Sequence, residues 1–153
     1  MRMIDALLTE SPLFLGLSKD DLTMIAGCGS NVQFKAGMYL FHEGDPSDQF
    51  YLIRHGTVGL ELASPERGRV MFATLGAGEL LGWSWLVPPY RKGCDARAID
   101  LVRATSFDGA CIRKKCDEDP RLGYELLKRV SRVVGERLTA TRLQLLDVYG
   151  RRA

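Results

Sequence analysis

The chain contains two neighbouring segments, FKAGMYLFHEGD at residues 34–45 and FYLIRHGTV at residues 50–58, in which short apolar runs alternate with glycine turns. The same pattern extends from Ser30 to Phe107, with one run in about ten residues. Glycine reaches the positive φ of such turns without steric cost. Strands this short and this regularly spaced are typical of a compact β-sandwich or β-roll.

Helical patterns precede this β-region. Residues 1–29 carry two short apolar clusters, and Ser18 stands before Asp21 in the arrangement of a helix N-cap. Gly27 and Gly29 are expected to end that helix. The pattern predicts small N-terminal helices.

The segment after the β-region is again helical in pattern. A short helix is expected after Asp108 through Lys115, followed by a long helix over residues 119–149. Pro120 suits the first turn of the long helix, and Gly150 suits its end.

The long helix carries an apolar stripe whose members are about 3.5 residues apart on average, the spacing of a coiled-coil seam. At 1.5 Å per residue the helix is about 45 Å long and extends beyond a domain of this size. We therefore expect a homodimer through this helix, and packing of the stripe within one subunit is the alternative. The stripe consists of Leu127, Val130, Val134, Leu138, Thr141, Leu145 and Val148.

These patterns predict one domain over residues 1–153, with N-terminal helices at 1–29, a β-roll at 30–107 and C-terminal helices at 108–150. The expected fold class is mainly β, a double-stranded β-helix or jelly-roll-like β-roll. The length suits one core that buries roughly two-thirds of the surface of the unfolded chain.

Composition narrows the classes of function. Charged residues form 26% of the chain and the net charge is +2, which argues against disorder and against a strong nucleic-acid field. No run of about 18 apolar residues could span a bilayer, and the N-terminus does not have the pattern of a signal peptide. We therefore expect no membrane contact and a cytoplasmic location.

The cysteines and histidines do not suggest a metal centre or catalysis. Cys28, Cys94, Cys111 and Cys116 contain no CxxC motif and have no histidine nearby, so reduced thiols are expected and a redox or iron–sulfur sensor is the lesser alternative. The two histidines are thirteen residues apart, whereas cupin-type metal enzymes use a His-x-His pair and further ligands. No G-x-S-x-G motif occurs. A cupin-like metal enzyme is thus a remote alternative, and no enzyme activity is expected.

The segments at 34–45 and 50–58, within this order of helices and strands, resemble the cyclic-nucleotide-binding domain of the CRP/FNR effector family. Gly37, Gly44 and Gly56 correspond to turn positions of that family's roll. The resemblance covers nearly the whole chain and implies a regulatory role.

In that family a phosphate-binding cassette begins with Gly-Glu at the start of a short helix and ends with Arg-Ser or Arg-Thr. Backbone N–H groups and the arginine hold the cyclic phosphate, and the glutamate accepts the ribose hydroxyl. Here the cassette is expected to begin within GELLGWSWL at residues 78–86, with Trp83 at the position of the acid. Lys92 and Gly93 then stand where Arg-Ser or Arg-Thr is expected.

An indole cannot accept the hydrogen bond of the ribose hydroxyl. Leaving that group unpaired costs about 1–3 kcal/mol, so weak or no binding of cyclic AMP and cyclic GMP is expected. Trp83 and Trp85 are expected to be buried, either filling the nucleotide space or forming an apolar wall. Arg97 corresponds to a structural arginine of the fold.

The candidate ligand is a cyclic nucleotide or another small anion, and no cofactor is certain. Each polar candidate also has a plain structural explanation, Ser84 as a cap and Arg91 and Lys92 as solvated loop charges. The correspondence of the two helix threonines is the weakest. The candidate site consists of Gly82, Trp83, Ser84, Arg91, Lys92, Gly93, Cys94, Thr139 and Thr141.

We therefore expect a stand-alone sensor or regulatory domain that acts through a protein partner. A functional cyclic-nucleotide receptor with a nonstandard cassette is the first alternative, and a purely structural adaptor with a filled pocket is the second. The sequence reaches residue 153 without a helix-turn-helix module, so no DNA binding is expected of it.

Overall fold

The computed structural model describes residues 4, 8 and 11–150. The parts of the predicted terminal segments at residues 1–3, 5–7, 9–10 and 151–153 lie outside the described residues. The helices are the 3₁₀ turn Pro12–Phe14, α1 (Lys19–Ala26), α2 (Gly109–Glu118) and α3 (Pro120–Gly150). The strands are β1 (Gly29–Phe34), β2 (Tyr39–Phe41), β3 (Gln49–His55), β4 (Val58–Ser64), β5 (Gly68–Leu75), β6 (Leu80–Leu81), β7 (Asp95–Ala98) and β8 (Val102–Asp108).

Within the described residues the strands form two four-stranded sheets, in the orders β1-β8-β3-β6 and β2-β7-β4-β5. Neighbouring strands run antiparallel. The mainly β roll with a long C-terminal helix that the sequence predicts is confirmed.

The helix α1 begins where the sequence predicts. Ser18 is its N-cap, and the hydroxyl oxygen of Ser18 accepts a hydrogen bond from the Asp21 N–H at 3.1 Å. Gly27 is the C-cap. The prediction that Gly29 also ends this helix is wrong, because Gly29 already pairs with Phe107 as the first residue of β1.

The turn between β3 and β4 explains one of the glycines in the 50–58 segment. Gly56 has a φ of +88°, and a Cβ at this position would collide with the backbone oxygen of Leu101. The adjacent Thr57 N–H donates to the Asp100 carboxylate at 2.7 Å. Only glycine therefore allows this close approach of the two loops.

Strand β3 separates two apolar clusters, because successive side chains of a strand point to opposite faces. Phe50 and Leu52 belong to the cluster that contains the buried residues of the helices. Tyr51 and Ile53 belong to the cluster inside the roll, between the two sheets. The helices thus cover one face of the first sheet, and the second sheet covers the other.

The prediction of four reduced cysteines is wrong for Cys28 and Cys111, which form a disulfide with a Cα–Cα distance of 5.8 Å. The reason is the pairing of the first and last strands of the roll, which brings together residues 83 positions apart. The Asp108 N–H also donates to the Cys28 carbonyl at 2.9 Å. Among the described residues Cys94 and Cys116 are free thiols, each partly buried.

Helix α3 begins at Pro120 and ends at Gly150, close to the predicted limits. Its first half packs on the core, where Val130 is buried and Val134 lies against the same cluster. The later members of the predicted stripe are exposed, with Leu138, Leu145 and Val148 each about half accessible. The stripe therefore divides into a part that covers the roll and a part that no described residue covers.

Candidate functional site

Residues 82–94, which connect β6 to β7, correspond to the predicted cassette. Gly82 has a φ of +88°, and the Leu86 N–H donates to the Trp83 carbonyl at 3.2 Å in a turn. No regular helix forms between Gly82 and Cys94 among the described residues, so the expectation of a helix N-terminus here is wrong. This segment therefore offers no helix N-terminus to an anion.

The two tryptophans of the segment have different environments. Trp85 is 1% exposed, and its ring stacks on Phe50 with the centroids 4.4 Å apart. The prediction of burial is wrong for Trp83, which is 40% exposed. The reason is that Trp85 points into the core beneath the helices, whereas Trp83, two residues earlier at the turn, remains at the surface. Residues 82–94 contain no carboxylate.

The most unusual group of the segment is the ammonium of Lys92, whose side chain is buried. Its Nζ donates to the backbone oxygen of Gln49 at 2.5 Å and lies 4.5 Å from the centre of the Phe41 ring. Burial lowers the pKa of Lys92 to about 8. A Cβ on Gly82 would lie 3.0 Å from this Nζ, so the lysine lies against the glycine backbone. The interpretation of Lys92 as a solvated loop charge is wrong.

Ser84 and Arg91 are tied to the loop before β3. The Ser84 hydroxyl donates to the hydroxyl of Ser47 at 2.8 Å. The exposed Arg91 donates to the Gly44 carbonyl at 3.3 Å. Arg91 therefore remains at the surface, while Ser84 is partly enclosed.

The end of the segment contributes a thiol and an open turn. Gly93 is exposed, with no atom within 4 Å of where its Cβ would lie. Cys94 is partly buried, and burial raises the pKa of its thiol, so the neutral form predominates at neutral pH. The structure thus places Gly82 and Lys92 in contact, with Ser84 linked to the adjacent loop.

The two helix threonines do not join this group. Thr139 and Thr141 are exposed, and the Thr141 hydroxyl donates to the Arg137 carbonyl of its own helix. Arg137 instead lies against the roll, and its guanidinium donates to the Leu80 carbonyl. The sequence contained a signal for this, since Arg137 follows Val130 and Val134 at the spacing of one helix face.

Arg97 has the structural role expected for it. Its guanidinium pairs with the buried carboxylate of Glu61 at 3.1 Å, and the Tyr39 hydroxyl donates to the same carboxylate at 3.2 Å. This pair joins neighbouring strands of the second sheet.

Within residues 4, 8 and 11–150, histidine, cysteine, aspartate and glutamate do not gather in a group of three suited to a metal ion. Over the same residues, no helix combines the length and the apolar character needed to cross a membrane.

The sequence profile of the family described as Cyclic nucleotide-binding domain matches residues 31–119. The chain therefore belongs to this family, as a regulatory domain similar to those of CRP and FNR. The match begins at the third residue of β1 and ends one residue before α3 begins, so it comprises nearly all of the roll and the whole of α2.

Known proteins support this assignment. The CRP-like cAMP-activated global transcriptional regulator of Mycobacterium tuberculosis is 26% identical over 145 residues, covering 95% of this chain and 63% of that protein. The chain thus spans less than two-thirds of that regulator. The N-terminal domain of a transcriptional regulator from Streptomyces coelicolor has a TM-score of 0.70 at 28% identity, covering 88% of this chain and 94% of that one.

A cyclic nucleotide-binding domain from Methylobacillus flagellatus has the same fold, with a TM-score of 0.81 at 20% identity. That comparison covers 95% of this chain and 82% of the other. The two solved structures agree on the fold of this chain.

Proposed function

We propose that this chain is a sensor or regulatory domain that binds cyclic nucleotides weakly or not at all and acts through α3 on a protein partner. The observation that carries the proposal is the absence of a carboxylate from residues 82–94, where the resemblance places Trp83 at the position of the family's acid. The resemblance assigns to that acid the ribose hydroxyl, for which an indole N–H offers only a donor.

The phosphate side of the site is altered as well. Lys92 is a point charge that already donates to Gln49, whereas an arginine offers a planar pair of donors to a phosphate. The ammonium has two further N–H groups, and with a pKa of about 8 most of it is charged at pH 7. Weak affinity for small anions is therefore retained while tight binding of the nucleotide is not.

Isothermal titration of the protein with cyclic AMP and cyclic GMP, each to about 1 mM, tests the proposal. We expect no saturable heat below about 100 μM. The variant Trp83→Glu with Gly93→Ser should gain one to two decades in affinity, because it restores the acceptor and a hydroxyl. Trp83→Leu is the matched control, since it removes the indole without adding an acceptor. A double variant that binds no better than Trp83→Leu would contradict the assignment of Trp83 to the ribose.

A second candidate function is a cyclic-nucleotide receptor with a nonstandard cassette. It is favoured by the buried Lys92 in contact with Gly82, which could hold a phosphate, and by the name of the Mycobacterium tuberculosis relative, a cAMP-activated regulator. Micromolar binding of either nucleotide by the unchanged protein would establish this function and overturn the first.

We propose that a second copy of this chain is one protein partner of α3. Leu138, Leu145 and Val148 form an exposed apolar row on α3 beyond the part that packs on the roll. Burial of such a row stabilises an association by about 25 cal/mol per Å² of apolar surface. A homodimer through this row would place any ligand-dependent movement of α3 directly at the interface.

A further inference from the structure

A cavity of about 530 Å³ lies between α3 and the roll, outside the candidate site. Its walls are the middle of α3, the 3₁₀ turn at Pro12–Phe14, the end of β5 and the loop that leads into β6. None of residues 82–94 lines it. Sites for small molecules occupy about 300–1,000 Å³, so this cavity has the size of a ligand site.

The walls are mostly apolar. Leu13 comes from the 3₁₀ turn, Leu75 from β5, Leu80 from β6, and Val133 and Ala140 from α3. These side chains surround the space from several elements and would bury the body of an apolar ligand on more than one side.

One wall carries a cation in an apolar setting. Arg137 lines the cavity, and its guanidinium donates to the Leu80 carbonyl. Arginine has five N–H donors, and within the described residues Arg137 forms no ion pair with a carboxylate. Burial also lowers the pKa of Arg137, in keeping with a charge that is removed from water.

The acids in the lining do not neutralise this charge by direct contact. Glu79 accepts a hydrogen bond from the Gly76 N–H at 3.2 Å, and Glu136 forms no ion pair among the described residues. A second cation, Arg132, also lines the cavity without an ion pair in the part of the chain described. Arg129, in contrast, forms an ion pair with Glu125, with 2.8 Å between Nη1 and Oε2.

We propose that this cavity binds a monoanion with an apolar body, of the class of medium-chain carboxylates, with its anionic head on Arg137. A partly buried cation without a carboxylate partner gains most from an anion that brings its own charge and two acceptor oxygens. The apolar walls accept the remainder of such a molecule, and the cavity is too large for the head alone.

A ligand in this position would touch α3 and the β5–β6 region together. Arg137 and Ala140 belong to the helix, and Leu75 and Leu80 to the roll. The ligand therefore binds best to one position of α3 and shifts the population of helix positions by its differential affinity. Arg137 also lies close enough to Cys94, the last residue of the 82–94 segment, for the two side chains to interact electrostatically.

Titration calorimetry of the full chain with decanoate tests the proposal. Decanol tests the apolar chain without the carboxylate, and acetate tests the carboxylate without the apolar chain. We expect saturable decanoate binding below about 1 mM and at least about tenfold weaker binding of the other two. Arg137→Met should weaken decanoate binding at least about tenfold, and Arg142→Met, on an exposed arginine of the same helix, should leave it unchanged.

Arg137→Met also removes the hydrogen bond to Leu80, so a second variant keeps that contact. Ala140→Phe places a ring in the cavity from an exposed helix position and should abolish binding without loss of thermal stability. The proposal is overturned if the unchanged protein shows no decanoate binding, if Ala140→Phe binds as well as the unchanged protein, or if decanol binds as tightly as decanoate.

Discussion

Arg121, in the first turn of α3, holds Asp21 of α1 with two hydrogen bonds, at 2.6 Å from Nη2 to Oδ1 and 3.1 Å from Nη1 to Oδ2. The Asp21 side chain is buried and Arg121 is exposed. The pair joins residues 100 positions apart and fixes the start of the long helix on the N-terminal helix.

Replacing Asp21 by Asn should therefore lower the free energy of unfolding by about 1 kcal/mol, since one partner of the pair is exposed and partly screened. Chemical denaturation at pH 7 measures this. Asp20→Asn, on an exposed neighbour in the same helical turn, is the control and should change stability by less than about 0.5 kcal/mol. Equal losses in the two variants would show that the ion pair contributes nothing.

The ion pair between Asp21 and Arg121 also makes the free energy of unfolding depend on pH in the acid range. Hydrogen bonding by Arg121 lowers the pKa of Asp21 below its usual 3.8, so the unfolded chain binds more protons at this site. The stabilisation is complete above pH 3.8 and is lost as the pH falls through the lowered pKa. Denaturation between pH 5 and about pH 2.5 should show a smaller loss of stability in Asp21→Asn than in the unchanged protein. Parallel curves would contradict it.

Lys92 also gives a stability that rises with pH, but over an alkaline window and because a buried charge is removed. Burial lowers its pKa from 10.5 to about 8, so between these values the unfolded chain binds more protons and stability rises with pH. The difference in unfolding free energy between the unchanged protein and Lys92→Met should grow over this window, by up to about 3 kcal/mol. Lys19→Met, on an exposed lysine, serves as control. A difference that stays constant from pH 8 to 10 would refute a buried ammonium.

Reduction of the Cys28–Cys111 disulfide should destabilise the protein, because the bond limits the freedom of a long loop in the unfolded chain. The chain-entropy relation gives about 4–5 kcal/mol for such a loop, and Cys111→Ser should lower the Tm by about 10 °C. Cys94→Ser is the matched control on a free thiol. An unchanged Tm for Cys111→Ser, or for the unchanged protein in reductant, would mean that the bond does not contribute to stability.

Leu145→Glu should convert the proposed dimer to a monomer, because it places a charge within the exposed row on α3. Multi-angle light scattering measures the mass, and thermal unfolding shows whether the fold is kept. Thr139→Glu, also exposed on α3 but outside the row, should leave the dimer intact. A monomeric unchanged protein, or a dimeric Leu145→Glu variant, would refute this interface.

The roll was predictable from sequence because its determinants are local. Gly56 marks the turn between β3 and β4, because this turn requires a positive φ. Tyr51 and Ile53 alternate with other apolar residues, and this pattern predicts one strand that is buried on both faces. Ser18 and Pro120 likewise mark helix starts through their own backbone requirements.

The contacts that depend on tertiary packing were not predictable in this way. Nothing near Cys28 or Cys111 reveals that the ends of the roll meet. The burial of Lys92 depends on Phe41 of β2 and Gln49 of β3, which are distant from it in sequence. Arg137 rather than the threonines meets the roll, since Thr139 lies about 200° around the helix from Arg137 and Thr141 lies one turn further along, where the helix is exposed.

Beyond Val134, hydrogen bonds to backbone carbonyls of the roll within the described residues include one from Arg137 to Leu80 and one from Gln144 to Phe72 at 3.0 Å. About 18 Å of helix separates Arg137 from Tyr149. A tilt of about 10° at Arg137 would displace the Tyr149 end by about 3 Å, so a change too small to disturb the core becomes a movement of ångströms at the tip of the helix.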